Sequence, residues 1–328
     1  MKNWFNKPKK SGAHTANKVT QLQNRYTIRA SAGSGAAASV FWGFDTQEQH
    51  RVAVKKLFIN PCDAPYEYRF RSVCSAMKAC ANPYSEQIYD FFLADGVPYI
   101  ISQWLDDTQL SRLFTEKRPM RMAVIQELSH SVAEYLADIH AKGFTHLNLN
   151  PRNIFLNHTS AATVTDLGVT YIFSDSGLLL DRHGHAAKPV YFAPEQYRQA
   201  PVSGASDIFS YGAILFQALT GQMPYHAKTP QEFFDEMAHI LPKDIHPRNL
   251  NPQTPEYLDA LIARCLAQNP AERPQNGAEL LAILHDAHKP ASVTVRLGAL
   301  NATSPTLQIP LKFYKHQAPG NHNKKSIR

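Results

Sequence analysis

The stretch His146-Leu-Asn148-Leu-Asn150-Pro-Arg-Asn153-Ile-Phe155-Leu, followed by Asp166-Leu167-Gly168, decides the reading of this chain. It lies near the middle of 328 residues and separates two regions of different periodicity. Upstream, short apolar runs predict strands: one from Tyr26, then Val40-Phe41-Trp42 after a Gly/Ala/Ser-rich turn at 31–39, then Val52-Ala53-Val54. Residues 66–81 predict a helix stopped by Asn82-Pro83. Apolar stretches around 86–92 and 98–105 flank Ala94-Asp-Gly96, which suits a hairpin. Downstream the period becomes helical. Ile125, Leu128, Val132, Leu136 and Ile139 recur at helix spacing between 122 and 141, with Gly143 as the stop. Segments 205–220, 230–240, 255–267 and 277–287 also predict helices. A strand-rich part followed by a helical part predicts an α+β chain of two lobes.

Working outward, Gly33-Ser-Gly35-Ala-Ala-Ala38-Ser-Val40 precedes a strand that ends in Lys55. Glycines let a turn bring backbone N–H groups close to phosphates, and a lysine at the end of the next strand points a cation at the same place. On the other side come Ala193-Pro194-Glu195, Ser206-Asp207-Ile-Phe-Ser-Tyr-Gly212 and Arg273-Pro274. Each motif is short, but the ordered set is specific. It resembles the protein kinase family over about residues 25–287, closest to the bacterial Ser/Thr kinase-like branch. The resemblance implies a bilobal fold, with an N-lobe and hinge at 25–105 and a C-lobe at 106–287.

Carried over residue by residue, the resemblance assigns Lys55 to the phosphates and Asn153 and Asp166 to magnesium, for which oxygen donors are suited. Gly33 and Gly35 match the first two glycines of the phosphate loop, and Ala38 replaces the third. Gln103-Trp104-Leu105 falls at the hinge that meets adenine, with Ser102 as gatekeeper, and Val40, Ala53 and Phe155 would sandwich the base. ATP and Mg2+ are the implied cofactors. Met77, Ile88, His146 and Leu167 would stack between the lobes above Asp207, and Glu195 would pair with Arg273.

Four positions depart from the family. The catalytic aspartate is Asn148, whose neutral amide cannot act as a base. The catalytic-loop lysine is Asn150, and the threonine that usually joins these two groups is Lys188. In the helix at 66–81, Val73 occupies the place of the glutamate that should pair with Lys55, and Glu67 faces elsewhere, which leaves Lys55 poorly held. Leu147 replaces the arginine that receives an activation-loop phosphate, although Thr170, Ser174 and Ser176 are available in the 169–192 loop; His183 and His185 there lack partners at metal-ligand spacing. These losses predict a pseudokinase acting as a regulatory scaffold or switch, able to bind ATP and Mg2+ but deficient in phosphoryl transfer. The alternative is an atypical but active Ser/Thr protein kinase. Protein partners, such as a kinase or a regulatory complex, are expected.

The composition, 44% hydrophobic and 19% charged, is that of a globular chain. No apolar run is long enough to span a bilayer and no signal segment is present, so a cytoplasmic location is expected. The net charge of +7 is unevenly laid out. Seven basic residues precede Asp45, the first acidic residue, and seven follow His288, so an acidic body carries two basic ends. The ends at 1–24 (a flexible arm) and 288–328 could contact an anionic surface, but no nucleic-acid module accompanies them. Within 288–328, Val293, Val295 and Leu297, then Leu307, Ile309, Leu311 and Phe313, alternate as a β-hairpin does, with Pro310 marking an edge strand and the tail disordered. The four cysteines lack metal-site spacing and read as buried thiols.

Overall fold

The computed structural model describes residues 21–35, 37–58, 66–173, 191–227, 229–239 and 244–288. The upstream runs form an antiparallel sheet of six strands: β1 (Gln21–Leu22), β2 (Tyr26–Ser34), β3 (Ala38–Asp45), β4 (His50–Leu57), β5 (Ile88–Ala94) and β6 (Val97–Gln103), in the order β1-β2-β3-β4-β6-β5. Helix α1 (Tyr66–Ala79) lies between β4 and β5 in sequence and buries Phe70, Cys74 and Met77. The hairpin turn is Asp95-Gly96, both at positive φ (51° and 75°), the backbone of a tight two-residue turn. Strand β1 lies inside the stretch expected to be a mobile arm. Leu22 is buried beside Tyr26, Val52, Val54, Tyr99 and Ile101, and covering that apolar patch outweighs the polar composition around it.

The C-terminal lobe begins with a small sheet of β7 (Thr108–Gln109), β8 (Ile154–Leu156) and β9 (Ala162–Val164). Its helices are α2 (Leu110–Leu113), α3 (Met122–Ala141), α4 (Val169–Phe173), α5 (Pro194–Tyr197), α6 (Gly204–Thr220), α7 (Pro230–His239), α8 (Glu256–Cys265) and α9 (Gly277–His288). All five periodic residues of α3 are buried, and the helix ends at Gly143, whose φ is 80°. Helix α6 is buried on nearly every side, and Ser203 caps it by accepting from the Ala205 N–H.

One apolar core joins the lobes. It runs from Leu57, Phe70, Met77 and Ile88 through Leu167 into α3, α6 and α8, so the expected interlobe column is continuous. At its base the fully buried Asp207 accepts from the backbone N–H groups of His146 and Leu147, both at 2.7 Å. Glu195 and Arg273 form the expected buried pair, with contacts at 2.7 and 3.0 Å. No helix of the described residues is long and apolar enough to cross a membrane. Cys74, Cys80 and Cys265 are buried free thiols, as expected. The stretch 1–20, the hairpin expected at 293–313, the rest of the tail, Cys62, Ser174, Ser176, His183, His185 and Lys188 lie outside the described residues.

Candidate active site

Lys55 sits in β4, the strand between β3 and β6, and its cross-strand neighbours are Val40 and Ile100. Its buried ammonium donates to Glu86 Oε1 and Oε2 at 2.8 and 2.9 Å and to Asp166 Oδ1 at 2.5 Å. Burial alone would favour the neutral amine, but the Asp166 and Glu86 carboxylates outweigh it and hold the Lys55 pKa above the ordinary lysine value. The lysine is a fixed cation at neutral pH.

Glu86 is the residue that sequence reasoning missed. It lies in the loop between α1 and β5, and its own N–H donates to Val164 O at 3.0 Å. The Val164 N–H donates back to Tyr84 O at 2.7 Å, so the loop is stitched to β9. The Glu86 carboxylate also accepts from the Asp166 N–H at 2.7 Å. One carboxylate therefore positions both Lys55 and the Asp166 backbone. A signal for it exists: Glu86 opens the stretch read as apolar at 86–92, two residues before Ile88, and a carboxylate buried with such a run needs a cation beside it. The expectation that Lys55 is poorly held is corrected by this contact.

The place expected for the helix glutamate is occupied differently. Val73 packs towards Gly168, where an added Cβ would meet Val73 Cγ1 at 3.6 Å. Glu67 is engaged with Arg71 on the exposed side of α1, as its spacing implied. Helix α4 packs on α1 and is tied to the start of the catalytic loop by Tyr171 Oη and Thr145 Oγ1 at 2.6 Å. Thr170 is fully buried in α4, so it is not the accessible hydroxyl that the sequence suggested; the apolar wall of Val169 and Ile172 carries it inward.

The catalytic loop is a network of amides. The Asn150 amide donates to Asn148 O at 2.8 Å and to Asn148 Oδ1 at 3.1 Å. The Asn153 amide donates to Asn148 O at 2.9 Å. Leu147 adopts the left-handed region (φ 56°), and its carbonyl accepts from Gln196, which also accepts from the Ala193 N–H. Buried His146 accepts from the Asn148 N–H at Nδ1 (3.1 Å) and donates from Nε2 to Thr165 O (2.9 Å). Both ring nitrogens are engaged by the neutral imidazole. Burial pushes its pKa down, so it is no proton donor at neutral pH.

Asn153 and Asp166 meet at one end of the β8–β9 hairpin, where the Thr165 N–H donates to Asn153 O at 2.9 Å. Asn153 uses Nδ2 as a donor, which leaves Oδ1, and Asp166 uses Oδ1 for Lys55, which leaves Oδ2. Hard oxygen donors of this kind suit magnesium. Among the described residues, Ala53 pairs with Ser102, whose Oγ is buried without a partner there; Phe155 lies opposite Gln109; and the Leu105 N–H donates to no described group. The Gln103 N–H is spent on Gln87 O, so only its carbonyl could serve adenine. Gly33 and Gly35 have negative φ and nothing within 4 Å of an added Cβ, so this backbone does not itself require glycine there. The residues present fit a magnesium nucleotide.

A profile of the protein kinase domain matches residues 26–285. The chain belongs to the protein kinase family. Curated relatives include a probable serine/threonine-protein kinase of Clostridium acetobutylicum, 31% identical over 265 residues, covering 80% of this chain and 40% of that protein. Another is the serine/threonine-protein kinase PknB of Mycobacterium tuberculosis, 28% identical over 275 residues, covering 82% of this chain and 44% of that one. The chain thus spans about two-fifths of the length of these relatives. Within this kinase domain, the second carboxylate on Lys55 comes from the loop before β5, and amide contacts join Asn148, Asn150 and Asn153.

Proposed function

We propose that this kinase domain binds ATP with Mg2+ in the interlobe cleft and acts mainly as a nucleotide-responsive scaffold for a protein partner, with phosphoryl transfer suppressed. When bound, magnesium would supply positive charge to offset that of the phosphates, and Asn153 and Asp166 are the residues that would hold it. Lys55 would meet the phosphates, and Val40, Ala53 and Phe155 would enclose the base. The observation that carries the reading is the Asn150–Asn148 contact at 3.1 Å. The atom that should take a proton from a substrate hydroxyl is an amide oxygen already accepting from a neighbouring amide. Loss of a general base costs on the order of 10²–10⁴ in rate. Asn150 also lacks the positive charge that would steady the transferring group.

The second reading is an atypical, active Ser/Thr protein kinase. The relatives bear that name, and on this point they favour it over the scaffold. The Lys55–Glu86–Asp166 cluster favours it too, because phosphoryl transfer depends mostly on positioning and charge.

A labelled-phosphate assay on the wild type, on Asp166→Ala and on the triple variant Asn148→Asp, Asn150→Lys, Lys188→Thr separates the two. The scaffold reading expects ATP binding by the wild type without transfer, and transfer gained in the triple variant by at least ~10²-fold. Transfer by the wild type that Asp166→Ala abolishes would establish the active kinase instead.

A further inference from the structure

We propose that His130, Glu134 and His285 form a site for a zinc-class divalent metal ion that clasps α9 to α3. The cluster uses none of the residues assigned to the nucleotide cleft. His130 and Glu134 are one turn apart on α3 and so share a face, and the His130 Nε2 to Glu134 Oε1 distance is 3.5 Å. Two ligands at about 2.1 Å from a metal, set at a tetrahedral angle, lie about 3.4 Å apart, so this pair already has the spacing of a chelate. His285 comes from α9, and its ring centroid lies 5.6 Å from that of His130. One donor atom from each of the three residues falls within 4.8 Å of the others. His285 is exposed, so rotation of its side chain can close the remaining gap of up to about 1.4 Å.

The two helices beneath the cluster cross in close contact. Gly277 begins α9 so close to α3 that an added Cβ would lie 2.1 Å from the Ala137 N atom. The Gly277 N–H donates to His140 Nδ1 at 3.0 Å, and His140 is anchored by Asp207 at the same distance. From that crossing, eight residues along α9 reach His285 and seven residues back along α3 reach His130. At 1.5 Å per residue the two rises are about 12 and 10.5 Å, so antiparallel packing brings the two imidazoles level. The donor set of two imidazoles and one carboxylate suits zinc, and three protein ligands leave a fourth position open. His130 and His285 also line a largely apolar cavity of about 230 Å3, together with Gln126, Ser129, Tyr257, Leu258 and Leu284.

The test is isothermal titration of the full chain with ZnCl2, with Co2+ visible absorption as the report on coordination. One saturable equivalent is expected, with tetrahedral-type Co2+ absorption. His285→Ala and Glu134→Gln, both of partly exposed side chains, are expected to keep the wild-type circular dichroism and to weaken binding by at least ~10-fold. Zinc should raise the wild-type melting temperature and leave that of His285→Ala unmoved. Binding of equal affinity in His285→Ala, or no saturable equivalent in the wild type, would overturn the site.

Discussion

Replacing Glu86 by glutamine keeps the shape of the side chain and removes its charge. The carboxylate makes two contacts to Lys55 and one to the Asp166 N–H, all between 2.7 and 2.9 Å, with its side chain about 5% exposed. Stripping one partner from a buried ion pair typically costs 3–5 kcal/mol. Asp166 still faces the ammonium in the variant, so the lower end, about 3 kcal/mol, is expected. For a domain of this size that corresponds to a drop in melting temperature of roughly 6–12 °C. Differential scanning fluorimetry reads it directly. Because Lys55 has its pKa raised on folding, its contribution is fully present below the ordinary lysine value near 10.4 and is lost only as pH rises through the folded one. The deficit should therefore be the same at pH 7 and pH 9. A second comparison separates clamp from packing. Val73 lies where the usual glutamate would stand, against Gly168, so Val73→Glu added to Glu86→Val should recover a substantial part of the loss. Melting of Glu86→Gln within about 1 °C of wild type would refute the assignment of Glu86 as the clamp.

Other consequences concern the scaffold. Glu195→Gln should cost about 3–5 kcal/mol in urea unfolding, since Arg273 is wholly buried and would lose the charge of its carboxylate partner. Gly277→Ala should destabilise by about 1–3 kcal/mol through overpacking against the α3 backbone, measured by the same unfolding curves. His146 should stay neutral as pH falls through about 6.5, while the unfolded chain takes up the proton, so this residue lowers stability on acidification. Imidazole 15N shifts should show it as the Nε2–H tautomer at pH 6. Burial pushes the Cys74 and Cys265 thiols up to about 12, so neither should react with a thiol reagent until the chain unfolds.

Much of this protein was legible in the chain itself. Short apolar runs bounded by turn residues placed β3, β4 and the β5–β6 hairpin, and the spacing of Ile125 through Ile139 placed α3, because burial selects apolar residues where the local geometry turns them inward. The order of the short motifs was enough to bring Lys55, Asn153 and Asp166 together, and the loss of charge at Asn148 and Asn150 could be read from residue identity alone. What the chain did not disclose were contacts between residues far apart along it. Val73 could be seen to be no glutamate, but that Glu86 takes over its task depends on the α1–β5 loop being hydrogen-bonded to β9, with Lys55 and Glu86 on different elements of the fold. Gln21–Leu22 became a strand because a tertiary apolar patch needed covering, and Thr170 was withdrawn from solvent because α4 packs on α1. The meeting of His130 and His285 rests on an antiparallel helix crossing that no local period records. Composition and spacing thus decide which groups are available and which elements form. Packing of surfaces distant in sequence decides which charge each group faces, and that is what turned an apparently unclamped lysine into a held one.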